Sequence, residues 1–212
     1  MKNNRKFLPF VAILAMTVMM QSCIKEGDTT LVLPVPDGKI PYHVVPENIQ
    51  DSLRIHGFRI NEGIEPPMVD GRYEIAPMSL NYASDNYFNS FVDLTMHFWG
   101  QIKRGQINYS EKQVDTVMGQ SYHASIIGEN KDFTLYCYQV VSQIDHTGDT
   151  LYWVKTATLV SGTKEAAGIK NCQYSTIILD KWAKNDYFYA QLPEANTYRI
   201  WNDGDGMAIN KD

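Results

Sequence analysis

The chain lacks most of the features that announce a function. It has only three cysteines in 212 residues, Cys23, Cys137 and Cys172, and their spacing matches no zinc pattern. No run of five or more Lys and Arg occurs, so the electrostatic footprint of nucleic-acid binding is missing. There is no G-x-S-x-G turn, no H-E-x-x-H helix and no glycine-rich phosphate loop. The most apolar stretch, residues 7–20, has 14 residues interrupted by Pro9. A helix that crosses a bilayer needs ~20. These absences argue against a metal centre, a nucleotide cofactor, a nucleic-acid partner and a permanent membrane-spanning helix, and they leave no motif for an enzyme.

What is present begins at the N-terminus. Lys2, Arg5 and Lys6 precede the apolar stretch, and Gln21, Ser22 and Cys23 follow it. A basic head, an apolar segment and a small residue make the layout of a secretory signal. With a cysteine directly after the small residue, the segment resembles a bacterial lipoprotein signal, Met20 standing where that family usually has Leu. The resemblance implies a signal peptide over residues 1–22 and lipidation at Cys23, whose acyl chains would each contribute ~0.8 kcal/mol per buried methylene. Ile24–Asp28 resembles the short Lys-plus-acidic tag that sends Bacteroidetes-type lipoproteins to the cell surface. The implied partner is therefore the outer membrane, at its surface or its periplasmic face.

Residues 23–46 read as a lipid-anchored extended tether, because Pro34, Pro36, Pro41 and Pro46 with Gly27 and Gly38 interrupt any periodicity. Removing the first 23 residues leaves 189, with 16 basic against 24 acidic side chains, a net charge of about −8. That length holds a single domain over residues 47–212. Cys137 and Cys172 are either a disulfide of an exported chain or two separately buried thiols.

From Pro46 the spacing of Ile49 and Leu53, with Glu47 and Asp51 early and Gly57 after, predicts a short helix. Beyond it the period becomes two. Val92, Leu94, Met96 and Phe98 alternate with Asp93, Thr95, His97 and Trp99. Similar alternation marks residues 73–82, 106–111, 122–128, 133–144, 151–161, 172–180 and 197–201, with turn residues between. About eight strands joined by short turns predict an all-β fold, an antiparallel meander that hides its edges by closing into a barrel. A β-sandwich satisfies the same pattern.

Three segments carry a resemblance across residues 47–206. Gly63-Ile64-Glu65-Pro66-Pro67-Met68-Val69-Asp70-Gly71-Arg72-Tyr73 leads into the first strand; Ser161-Gly162-Thr163 is followed by Gly168-Ile169-Lys170-Asn171; and Asp203-Gly204-Asp205-Gly206 comes near the end. Together these are similar to a group of uncharacterised Bacteroidetes lipoproteins with lipocalin-like barrels. The resemblance implies a fold and brings no catalytic residues.

The candidate site residues are few. His97 follows Asp93 by four on one strand face, and His123 could lie on a neighbouring strand, a pattern open to a metal ligand, a general base or simple solvent-side histidines. Asn202–Gly206 fits an EF-hand loop poorly, since Trp201 would fall where Asp belongs, and reads as a solvated turn. Trp99, Trp153 and Trp201 fall on the less apolar or ambiguous strand faces and, with His97, are the candidate ligand-binding residues, although core packing is the default reading of such aromatics. The expected role is a non-enzymatic envelope protein that binds a small apolar molecule or a glycan at the barrel mouth. The alternative is a structural or adhesive envelope subunit that pairs through an exposed strand edge.

Overall fold

The computed structural model describes residues 37–85, 92–102, 105–113 and 116–212. The signal segment, Cys23 and the first part of the expected tether lie outside the described residues.

The period-two segments form strands whose pairing closes a barrel, with the two-residue strand β1 (Ile64–Glu65) added beside it. Strands β2 (Gly71–Ile75), β4 (Leu94–Trp99), β5 (Gln106–Gln113), β6 (Thr116–Glu129), β7 (Asp132–Ile144), β8 (Thr150–Lys164) and β9 (Gly168–Ala183) pair antiparallel in succession. Strand β11 (Met207–Asn210) pairs with both β9 and β2 and completes a ring of eight. The open choice between barrel and sandwich is thus decided for the barrel. Strand β10 (Tyr198–Asp203) continues along β9 beyond β11, and β3 (Met78–Ala83) pairs with β10. The single strand expected over 73–82 is two, β2 and β3, because Pro77 between them has no N–H to give to a strand ladder. Strand β11 is too short to show a period in the sequence.

Alternation sorts side chains into two cores. Tyr73, Met96, Phe98, Tyr109, Leu135 and Tyr174 fill the barrel interior. The second core lies outside the barrel wall. Helix α1 (Glu47–Ile55) lays Ile49 and Leu53 there with Phe58, against Ile127, Tyr136, Leu159, Ile177 and Ile200. The expectation of an extended tether as far as residue 46 is corrected here. Ile40, Val44 and Val45 belong to this outer core, and the Gln50 side-chain amide donates to the Ile40 and Val45 carbonyls at 3.1 and 2.8 Å. The prolines set the direction of this segment without keeping its apolar residues in water.

The segment 63–73 closes one end of the barrel. Gly63 donates to the Gly38 carbonyl and accepts from Gly128, at 2.8 and 2.9 Å. A β-carbon at Gly63 would stand 2.4 Å from the Gly128 oxygen, so the close approach there requires glycine. Val69 then enters the barrel core, held by Gln101, which accepts from the Val69 N–H and donates to the Pro67 carbonyl, both at 2.9 Å. At the other end β7, β8 and β9 run on as a three-stranded sheet, after β6 stops pairing with β7 at Ser125–Tyr136. The one-turn helix α2 (Asp186–Tyr189) packs against this extension.

Candidate functional site

On the outer wall, β2, β4 and β5 bring two rows of polar side chains into register. Arg72 lies opposite His97, which lies opposite Ser110; Glu74 lies opposite Thr95, which lies opposite Lys112. They face outward because their neighbours Tyr73, Met96, Phe98 and Tyr109 fill the barrel. Beyond β11 the chain runs beside β2. The Lys211 N–H donates to the Arg72 carbonyl at 2.8 Å, and the Lys211 ammonium pairs with the Glu74 carboxylate. An Asp212 carboxylate oxygen accepts from the Arg72 N–H at 3.0 Å. The result is an open groove of about 460 Å³ between the two rows and Lys211.

The groove is lined by three cations, Arg72, Lys112 and Lys211, and by the carboxyl groups of Glu74 and the largely buried Glu111, with the Asp212 carboxylate beside Arg72. Glu74 is taken by Lys211, and among the described residues neither Arg72 nor Lys112 has an ion-pair partner. His97 lies between them. Partial burial lowers its pKa and the Arg72 charge lowers it further, against an opposing pull from Asp212 and Asp70, so at neutral pH the ring is uncharged. One of its nitrogens then donates and the other accepts. Its ring stacks on Trp99, centroids 4.7 Å apart and planes 24° apart. The groove therefore offers two cations without an ion-pair partner among the described residues, an amphoteric imidazole and the hydroxyls of Thr95 and Ser110. Those groups suit a polar, anionic ligand.

The expected aromatic residues do not converge. Trp99 flanks the groove, half-buried. Trp153 lies on the distal β7–β8–β9 extension, directly across from Trp182. Trp201 is 3% exposed and packs on Tyr174 in the barrel core, so its reading as a ligand-binding surface is corrected to core packing. Asp93 is not joined to His97; its carboxylate accepts from the Met78 N–H at 3.3 Å. His123 is exposed on β6, out of register with His97. Cys137 and Cys172 are free buried thiols on β7 and β9, with β8 between them. The Asn202–Gly206 segment is the β10–β11 turn, yet Asp203 is only 7% exposed and is not the solvated residue expected.

The alternation of the sequence held two further signals. Ile107, Tyr109 and Glu111 share one strand face, which places an acid inside the barrel, 5% exposed. Burial pushes the Glu111 carboxyl above the usual range, against hydrogen bonds from Tyr109, Tyr174 and Gln139. Arg72 and Lys112 were equally visible as outward residues of alternating strands, but only pairing across β4 shows that they face one groove. Comparison with known proteins finds no matching family model, no matching curated protein and no matching solved structure.

Proposed function

We propose that this chain is a lipid-anchored protein of the outer membrane, held through Cys23 at the cell surface, which binds an acidic glycan non-enzymatically in the β2–β4–β5 groove. The anchor rests on the signal layout of residues 1–23. The observation that carries the ligand class is the pair of cations, Arg72 and Lys112, without ion-pair partners among the described residues and across one groove on a chain with net negative charge. Such a surface repels polyanions generally and accepts them only where cations are concentrated. Thr95, Ser110 and the neutral His97 ring add donors and acceptors suited to sugar hydroxyls. A small apolar ligand is less favoured, because large side chains such as Tyr73, Phe98, Tyr109 and Tyr174 occupy the barrel interior.

Calorimetric titration of the full chain with an oligogalacturonide, and with a neutral galacto-oligosaccharide of equal length, tests the reading. The uronate is expected to bind and to weaken as salt rises, while the neutral sugar binds more weakly or not at all. Equal binding of both, or of neither, contradicts it.

A further inference from the structure

The β7–β8–β9 extension has one edge along β7 that β6 does not pair. Strand β8 pairs with β7 along its whole length, from Asp132 to Ile144. Strand β6 pairs with β7 only from Asp132 to Tyr136. Among the described residues, no strand therefore occupies the second edge of β7 from Cys137 to Ile144. The far part of that edge is in solvent: Val140 is 64% exposed, Val141 44% and Ile144 37%. Free edges of monomeric proteins are normally blunted by lysine, proline or an inward-facing charge. The eight residues Cys-Tyr-Gln-Val-Val-Ser-Gln-Ile contain none of these.

We propose that this edge pairs with the same edge of a second copy of the chain, antiparallel and centred on Ser142, to give a two-fold dimer. A two-fold axis perpendicular to the sheet keeps outer faces with outer faces, so each residue meets one of its own facing. Centring on Ser142 uses the exposed stretch alone. Val140 then lies opposite Ile144 of the second copy, Val141 opposite Gln143, and Ser142 opposite itself. Apolar residues meet apolar ones on the outer face, and no like charges oppose each other even though both chains are acidic overall. The pairing also extends an existing apolar surface. Trp153 lies opposite Ser142 on β8, Trp182 lies opposite Trp153 on β9, and Trp182 is itself exposed. Two copies merge their β7–β8–β9 extensions into a continuous six-stranded sheet. None of residues 140–144 lines the β2–β4–β5 groove, so the dimer stands independently of glycan binding.

Sedimentation equilibrium of the full chain tests the dimer together with oxidative crosslinking of cysteine variants. The wild type is expected at twice the chain mass. Ser142→Lys sets two ammonium groups opposite each other and is expected to halve the mass with an unchanged circular dichroism spectrum. Ser142→Cys is expected to form an intermolecular disulfide, because directly opposed strand residues have the required Cα separation. Val141→Cys, opposite Gln143, is expected to crosslink far less. A wild type at single mass overturns the proposal, whether or not it captures extended peptides from other proteins. So does a double mass that Ser142→Lys preserves, or equal crosslinking at both positions.

Discussion

The Tyr109 hydroxyl donates a 2.6 Å hydrogen bond to the Glu111 carboxylate, two residues along the same strand and both inside the barrel. Charge-assisted bonds of this length are strong, yet the acid they hold is wholly enclosed. Burial is the largest influence on Glu111 and favours its protonated form. A carboxyl whose pKa is raised by folding binds its proton more tightly in the folded state than in the unfolded one. Its contribution is complete below the ordinary Glu pKa and is lost as pH rises through the raised one. Urea titrations from pH 5 to pH 9 are expected to show falling stability in the wild type and a flatter profile in Glu111→Gln. A wild-type profile that rises across that interval contradicts the assignment.

Asp203, beside Asp205 in the β10–β11 turn, works in the same direction. Burial first, then the facing Asp205 and Asp93, push its pKa from 3.8 up to about 7. The stability it contributes is full below about pH 4 and disappears as pH rises through 7. Asp203→Asn is expected to remove the pH dependence between 5 and 8 that Glu111→Gln leaves behind. Carbon-detected NMR of the Asp203 carboxyl should report its titration near neutrality, and a midpoint near 4 would refute the placement.

Gly119 on β6 makes room for Gln139. A β-carbon there would lie 2.4 Å from the Gln139 Oε1 atom, and the side chain is itself buried. Gly119→Ala is expected to destabilise the fold by about 1–3 kcal/mol, the usual cost of overpacking a filled interior. Gly119→Ala combined with Gln139→Ala should recover part of that loss. A single variant as stable as the wild type would show that the interior has slack.

Helix α1 is a cover for the barrel wall, and Leu53 is its deepest residue. Leu53→Ala is expected to cost about 2–5 kcal/mol, within the range for buried leucines. Hydrogen exchange should then be accelerated in residues 40–58 more than in β7–β9. Uniform acceleration would mean that the cover and the barrel unfold as one unit.

Much of the fold was legible in the sequence because it follows local rules. The spacing of Ile49 and Leu53 placed the helix and its buried face, and the Leu94–Trp99 alternation set which residues of β4 are buried. The barrel closure was not legible in the same way, since it depends on the four-residue β11 reaching both β9 and β2. His97 was identified as a candidate, but its partners come from cross-strand register rather than its own strand. Asp93, four residues away, is used to hold Met78, whereas Arg72, twenty-five residues earlier, lies directly opposite. Trp201 misled because the Arg199–Asp203 face continues the barrel interior there, which puts the tryptophan against Tyr174.

Joint binding of an anionic sugar by Arg72 and Lys112 is what the proposed function requires. Its most direct test is the oligogalacturonide titration repeated with the Arg72→Ala, Lys112→Ala double variant, checked first for an unchanged thermal midpoint. Each lost charged hydrogen bond is worth roughly 1.5–3 kcal/mol, so affinity should fall by about tenfold or more per residue. Binding that survives the double variant undiminished would move the ligand site off this groove and contradict the account.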